Sequence, residues 1–147
     1  MRIKFQQSLD DLKEHLLVMA GMAEQAIQRS IEAYSTRDLS ICELVLRSEP
    51  AINRIEREID QMALDLLAME QPMAIDLRFI LSVIHINADL ERVGDQAVNI
   101  AIRVREMWAF ANIYLPVDIA KLPSLAGTMV RNEVQAFIEG DAELAQS

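Results

Sequence analysis

Asn87-Ala88-Asp89-Leu90-Glu91-Arg92-Val93-Gly94-Asp95-Gln96-Ala97-Val98-Asn99-Ile100-Ala101 is the stretch from which the fold can be read. Through and around it, apolar residues recur at Val83, Ile86, Leu90, Val93, Ala97, Ile100, Val104 and Met107, in alternating steps of three and four. Such a stripe marks a helix packed along its length against other helices. Asn87, Glu91, Asp95 and Asn99 form a second row, each four residues from the last. At about 100° per residue, Glu91 stands roughly 130° and Asp95 roughly 170° from the middle of the apolar stripe. The spacing therefore predicts that both carboxylates point away from the core. The bland explanation of such a row is a solvated helix face.

The chain around this stretch reads as helix throughout. Apolar residues make up 52% of the 147 and aromatics only 5%, so the good helix formers dominate and alternating strand patterns are missing. The fold class expected is all-α: three long antiparallel helices in a bundle, plus a fourth helix. A first helix is predicted over 3–35, with Phe5, Leu9, Leu12, Leu16, Met19, Ala23 and Ala26 as its stripe. Asp38 suits the N-cap of a second helix over 39–70, whose stripe is Ile41, Val45, Ser48, Ile52, Ile55, Ile59, Met62, Leu66 and Met69. Pro50 falls inside it, so a kink near Leu46 to Pro50, or a split with Ser48 as a new cap, is expected. Gln71-Pro72 reads as the turn, and the third helix runs over 73–113. His15 reads as a boundary histidine, His85 as exposed, and Met107, Trp108 and Tyr114 as packing residues.

Residues 114–123, with Pro116 and Pro123, read as a linker. A fourth helix is predicted over 124–139, stopping at Gly140-Asp141. This last piece echoes the first helix. Met22, Ile31, Ala33, Tyr34, Asp38 and Ile41 match Leu125, Val134, Ala136, Phe137, Asp141 and Leu144 at one constant offset. The domain organisation expected is thus a first bundle over 1–113, the linker 114–123, and over 124–147 the first helix of an incomplete second repeat. A fifth helix would start where the chain stops, which points to a truncated protein or partial gene product. The unpartnered stripe Leu125, Met129, Val134, Phe137 and Ile138 is expected to fold back on the first bundle or to pair with a second copy as a homodimer.

Charge and cysteine usage narrow the function. A net charge of −9 disfavours a nucleic-acid partner, which needs a basic patch, and favours cations or a basic protein surface. No apolar run is long enough for a membrane span, and the start has no signal-peptide core. Cys42 is the single cysteine and lacks any enzyme signature around it. A cytoplasmic location is expected.

Folding the second helix onto the third about residue 71 sets Glu49 level with Val93 and Asn53 level with Asp89. Glu49 and Asn53 lie roughly 100° and 140° from their helix's apolar centre, on the rotational side that Glu91 and Asp95 take on theirs. Two pairs spaced by four, Glu49/Asn53 and Glu91/Asp95, then face one outer groove, with Glu56, Asp60 and Asn99 either behind these ligands or as additional ones. Crowded carboxylates repel one another unless a cation joins them. Hard oxygen donors suit Mg²⁺, Mn²⁺ or iron. The competing explanation is a solvated face paired to Arg54, Arg57 and Arg92.

Leu90-Glu91-Arg92-Val93-Gly94-Asp95, with Ala97, Asn99 and Ile100, resembles the signature of the PhoU family of phosphate-uptake regulators. Pro72-Met73-Ala74-Ile75-Asp76-Leu77-Arg78 is similar to that family's Pro-x-x-x-Asp-Leu-Arg. Asn53-Arg54-Ile55-Glu56 and Asp38 extend the likeness over most of residues 5–112. The resemblance implies two tandem three-helix bundles in the full family architecture, surface Glu/Asp-x-x-x-Asp pairs that bind metal ions, and no enzymatic activity. Asn53 departs from the pattern, since an Asp is common there. The implied role is an adaptor between the phosphate ABC transporter, chiefly its ATPase subunit, and the phosphate-sensing histidine kinase. That adaptor negatively regulates the phosphate-starvation response and uptake, and is peripheral to the membrane through its partners only. Two other classes compete. A di-metal carboxylate enzyme would need inward Glu-x-x-His motifs, of which there are none. A PhoU-type tail of a sodium/phosphate cotransporter would need membrane segments elsewhere.

Overall fold

Four α-helices make up the described residues, 2–110 and 122–139, of the computed structural model. They are α1 (Arg2–Thr36), α2 (Leu39–Glu70), α3 (Ala74–Phe110) and α4 (Leu122–Glu139). The first three boundaries follow local chemistry. Arg37 turns left-handed at φ 57° and its guanidinium rests 4.4 Å from the centre of the Trp108 ring. Asp38 then caps α2, its carboxylate accepting from Ser40 N at 2.9 Å and Ser40 Oγ at 2.5 Å. At the other end of α2, Gln71 adopts the left-handed conformation that ends a helix, and α3 begins three residues later.

Pro50 lies within a continuous α2. Ser48 does not start a new segment as a cap. Its hydroxyl donates to the Val45 carbonyl at 2.6 Å, so it bonds backward into the helix rather than forward. The predicted linker falls mostly outside the described residues, as do Tyr114 and Gly140-Asp141. Its last two positions, Leu122 and Pro123, already belong to α4. Pro123 suits the first turn, where a missing N–H costs nothing.

Helices α1, α2 and α3 pack pairwise as a three-helix bundle, and α4 lies back along α1. The apolar face of α4 folds back on the bundle through its second half, while Met129 stays 62% exposed. Val134 and Ala136 are buried, and Phe137 stacks on Phe79 of α3 with ring centres 5.2 Å apart. Serving both α4 and the bundle, α1 buries a wide arc: the predicted Leu9, Leu12, Leu16, Met19, Ala23 and Ala26, and also Ala20, Glu24 and Ser30. Fully burying a leucine or methionine is worth about 1.5–3 kcal/mol, so Leu12, Leu16 and Met19 make α1 the post of the fold.

The predicted stripe of α3 needs a correction. Val83, Leu90, Ala97 and Val104 are buried as expected, but their companions are Ile80, Asn87, Gly94 and Ala101. Ile86, Val93, Ile100 and Met107 are only half-buried at the flank. Both series alternate steps of three and four, and they differ by a rotation of about 60° about the helix axis. Helix α2 has turned the same way. Val45, Ile52, Ile59 and Leu66 are buried together with Cys42 and Ala63, while Ile41, Ser48, Ile55 and Met62 stand at the flank. Small residues let the backbones approach: a β-carbon at Gly94 would come within 3.3 Å of Ile52 Cδ1 and Cγ2. Bulkier isoleucines at that seam would hold the helices apart and lose contacts along their length.

Candidate metal and regulatory site

The rotation of α3 changes what its polar row does. Asn87 does not point outward; it is fully buried between α2 and α3. Its Nδ2 donates to the Glu56 carbonyl at 2.9 Å and to Asp60 Oδ1 at 3.1 Å. Its Oδ1 is buried without a hydrogen-bond partner. Glu91 and Asp95 swing toward the α2 seam and are half-buried, whereas Asn99 stays exposed.

The register of the two helices also departs from the expectation. Ile52 with Gly94 and Asp60 with Asn87 centre near residue 73, whereas Asn87 with the Glu56 carbonyl centres between 71 and 72, so the pairing is displaced from 71 by at most about two residues. The non-helical connection 71–73 contains the symmetry point, because α3 starts only at Ala74. That displacement moves a level partner by up to about one helical turn. At a centre of 73 Asn53 stands level with Val93, between Glu91 and Asp95, and Glu56 joins the set about one turn further along α2.

Electrostatics follow this geometry. Glu91 is pushed from its ordinary 4.5 up to about 7. A hydrogen bond shared with Asp95 is the largest cause, followed by partial burial and by the negative charges of Asp95 and Glu56, with Arg92 opposing. Burial, Asp60 and Asp95 raise Glu56 as well, against Arg57. Arg92 itself pairs with Asp89 at 3.2 Å on the exposed face. Glu56, Asp60, Glu91 and Asp95 thus form one acidic seam anchored by Asn87. Glu49 and Asn53 are half-buried on the turn of α2 before Glu56, and the charged groups that bear on Glu91 are Asp95, Glu56 and Arg92. Among the described residues, no three His, Cys, Asp or Glu side chains converge as a finished metal shell.

Sequence reasoning undervalued Glu56 and Asp60 and placed Asn87 on the wrong side. A signal was available. Ile80, Asn87, Gly94 and Ala101 recur every seven residues, as a helix–helix seam does, but Asn, Gly and Ala score low on hydrophobicity.

The histidines lie outside this seam. His15 is half-buried with Nδ1 2.8 Å from the Asp11 carbonyl, and His85 is exposed, both as expected. Trp108 packs at the core's edge, 5.8 Å from Tyr34. No helix among the described residues is long and apolar enough to cross a membrane.

Comparison with known proteins bears on this arrangement. The sequence profile of the PhoU domain matches residues 16–104, which hold the whole acidic seam. The chain is 34% identical over 147 residues to the phosphate-specific transport system accessory protein PhoU homolog of Pseudomonas aeruginosa, covering 98% of this chain and 60% of that one. Its fold superposes on the crystal structure of PhoU from Pseudomonas aeruginosa with a TM-score of 0.89, at 33% identity and with 97% of this chain and 68% of that one covered. For the phosphate transport system regulatory protein PhoU from Streptococcus pneumoniae the TM-score is 0.85 at 26% identity, covering 97% and 67%. The chain therefore spans about three fifths of the length of the curated relatives it matches.

Proposed function

The chain belongs to the PhoU family, and we propose from that membership that it is a non-enzymatic accessory protein of a phosphate transport system. In this reading it works in the cytoplasm, as a homodimer, on the phosphate ABC transporter through its ATPase subunit. It also restrains the phosphate-sensing histidine kinase, so that the starvation response and uptake fall when phosphate is plentiful. One observation carries the reading: the family match and the fold likeness both extend over the three-helix bundle. The test is affinity purification of the tagged chain from cells grown in high phosphate. The transporter ATPase should come down with it, and a starvation-response reporter should switch on when the chain is deleted. Absence of the ATPase together with a silent reporter would overturn the proposal.

We infer also that the acidic seam binds a divalent or ferric ion, Mg²⁺, Mn²⁺ or iron. The donor chemistry fits, because hard carboxylate oxygens are crowded enough to hold Glu91 at about 7. Glu91 and Asp95 supply the principal pair and Glu56 the charge opposite. Glu49 and Asn53 supply further oxygens from the neighbouring turn of α2. An ion that binds only the folded state stabilises it as its concentration exceeds its dissociation constant. A metal titration followed by melting temperature, with elemental analysis of the purified protein, compares wild type with Glu91→Gln/Asp95→Asn and with Glu49→Gln/Asn53→Ala. The first double variant should lose the metal-induced shift and the second should weaken it. If none of the three metals shifts the wild type, the seam is not a metal site.

A further inference from the structure

At the end of the bundle where α1 starts and α2 stops lies a groove of about 200 Å³, away from the acidic seam. It is lined by Lys4, Ser8 and Asp11 of α1 and by Met62, Asp65, Leu66 and Met69 of α2, with Leu66 buried beneath it, Met62 half-buried and Met69 exposed at its edge. The engineered cavity that takes up benzene is of about 150 Å³, so this space suits an aliphatic side chain. Beside the groove, the tip between α2 and α3 carries three exposed large apolar residues. Met69, Met73 and Ile75 are 75%, 77% and 81% exposed. The tip is fixed in shape by the left-handed Gln71 and by Pro72, and the bond from Leu77 N to the Met73 carbonyl, 2.8 Å, ties Met73 to α3.

Several large apolar side chains exposed at one end of a bundle, beside a groove with charged residues in its lining, suit an interaction surface. Methionine is the side chain that best re-packs around an incoming partner. The span sets the partner's size. Lys4 to Asp11 on α1, and Met62 to Met69 on α2, each cover two helical turns, about 10 Å. Charge sets its sign. Asp11 and Asp65 stand at one end of the groove and Lys4 at the other, in a chain of net charge −9. Asp65 is held in place by Gln61, whose Nε2 donates to it at 2.8 Å.

We propose that this groove docks a short amphipathic helix of a partner protein, about two turns long. Its apolar anchors, spaced by three or four residues, sit over Met62, Leu66 and Met69, and its basic residues reach Asp11 and Asp65. Recognition follows the helix-in-groove mode, in which apolar anchors give affinity and flanking charges give orientation. The site is independent of metal binding at the seam.

The test uses the full chain and three synthetic peptides, read by fluorescence anisotropy. One is an amphipathic Leu/Lys helix, one its scrambled twin, and one its Leu/Glu twin. The Leu/Lys helix should bind at least tenfold more tightly than either twin. Asp11→Lys/Asp65→Lys should reverse the preference toward the Leu/Glu peptide. Glu32→Lys/Glu133→Lys changes the net charge equally but lies elsewhere, and should leave the preference intact. Met69→Asp, at a position too exposed to unfold the chain, should lower binding tenfold at an unchanged melting temperature. Equal binding of all three peptides, or equal effects of the two charge-reversal variants, overturns the proposal. So does a dimer in sedimentation that Met69→Asp dissociates, because the groove would then serve a second copy.

Discussion

Gly94 of α3 lies against Ile52 of α2 so closely that a β-carbon at position 94 would stand 3.3 Å from both Cδ1 and Cγ2 of the isoleucine. Ile52 is itself buried, so it has little room to retreat. Gly94→Ala sets a helix-propensity gain of about 1 kcal/mol against crowding that Ile52 has little room to relieve, so the gain should be offset or reversed. Gly94→Leu forces the helices apart and should cost about 1–3 kcal/mol or more. Chemical denaturation of the two variants checks this, and an unperturbed Gly94→Leu would mean that the seam is loose.

Asn87 donates to both Glu56 and Asp60 from a fully buried position. Asn87→Asp would set a second carboxylate beside Asp60 out of reach of water. At neutral pH this should cost about 3 kcal/mol or more, with much of the loss recovered on acidification. Asn87→Leu should be milder, about 1 kcal/mol, because half-buried Asp60 can turn to solvent. Wild-type stability of Asn87→Asp at pH 8 would show that the seam is wetter than described.

Glu91 predicts a pH dependence of definite sign. Between its ordinary 4.5 and about 7, the folded chain holds a proton that the unfolded chain has released. The stabilisation from that proton is fully present below 4.5 and is lost as pH rises through 7. Glu56, also raised, acts in the same direction. In metal-free buffer the melting temperature should therefore carry a component that falls from pH 5 to 8. Glu91→Gln should remove most of it, and an identical slope in that variant would contradict the assignment.

Arg131 of α4 grips Glu24 of α1 through two guanidinium nitrogens, Nε at 3.1 Å among them, and Gln28 Nε2 also donates to that carboxylate at 3.3 Å. Glu24 is buried, but the Arg131 side chain is 62% exposed. Breaking a fully buried pair costs about 3–5 kcal/mol; here water can reach the vacancy, so Arg131→Ala should cost about 1–3 kcal/mol. Because the pair joins α4 to the bundle, limited proteolysis should cut at 122–139 well before it cuts α1. Adding Glu24→Leu to Arg131→Ala should restore part of the loss, since it removes the stranded charge. Equal protease resistance of Arg131→Ala and wild type would sink this account.

Local chemistry made much of this chain legible from its residues alone. The ends of α1, the Asp38 cap, the turn at Gln71-Pro72 (which the structure extends by one residue, to Met73) and the all-α class depend on backbone hydrogen bonds and short-range propensity. Those forces act within a few positions of each other, so the sequence carries them directly. The likeness of the Leu90–Asp95 run to the PhoU signature was legible for the same reason.

Three features needed the tertiary structure. The rotation of α3, the register of α2 against it and the docking of α4 on α1 are each settled by which surfaces fit together. Hydrophobicity located the shared series Val83, Leu90, Ala97 and Val104 but chose Ile86, Val93 and Ile100 as its companions. Packing chose Asn87, Gly94 and Ala101, because close approach favours small residues and one buried amide that finds partners across the seam. That turn of about 60° brings Glu91 and Asp95 toward Glu56 and makes a solvated row into an acidic seam. Periodicity fixes an arc on a helix; only the shape of the neighbouring helix decides which edge of the arc faces inward.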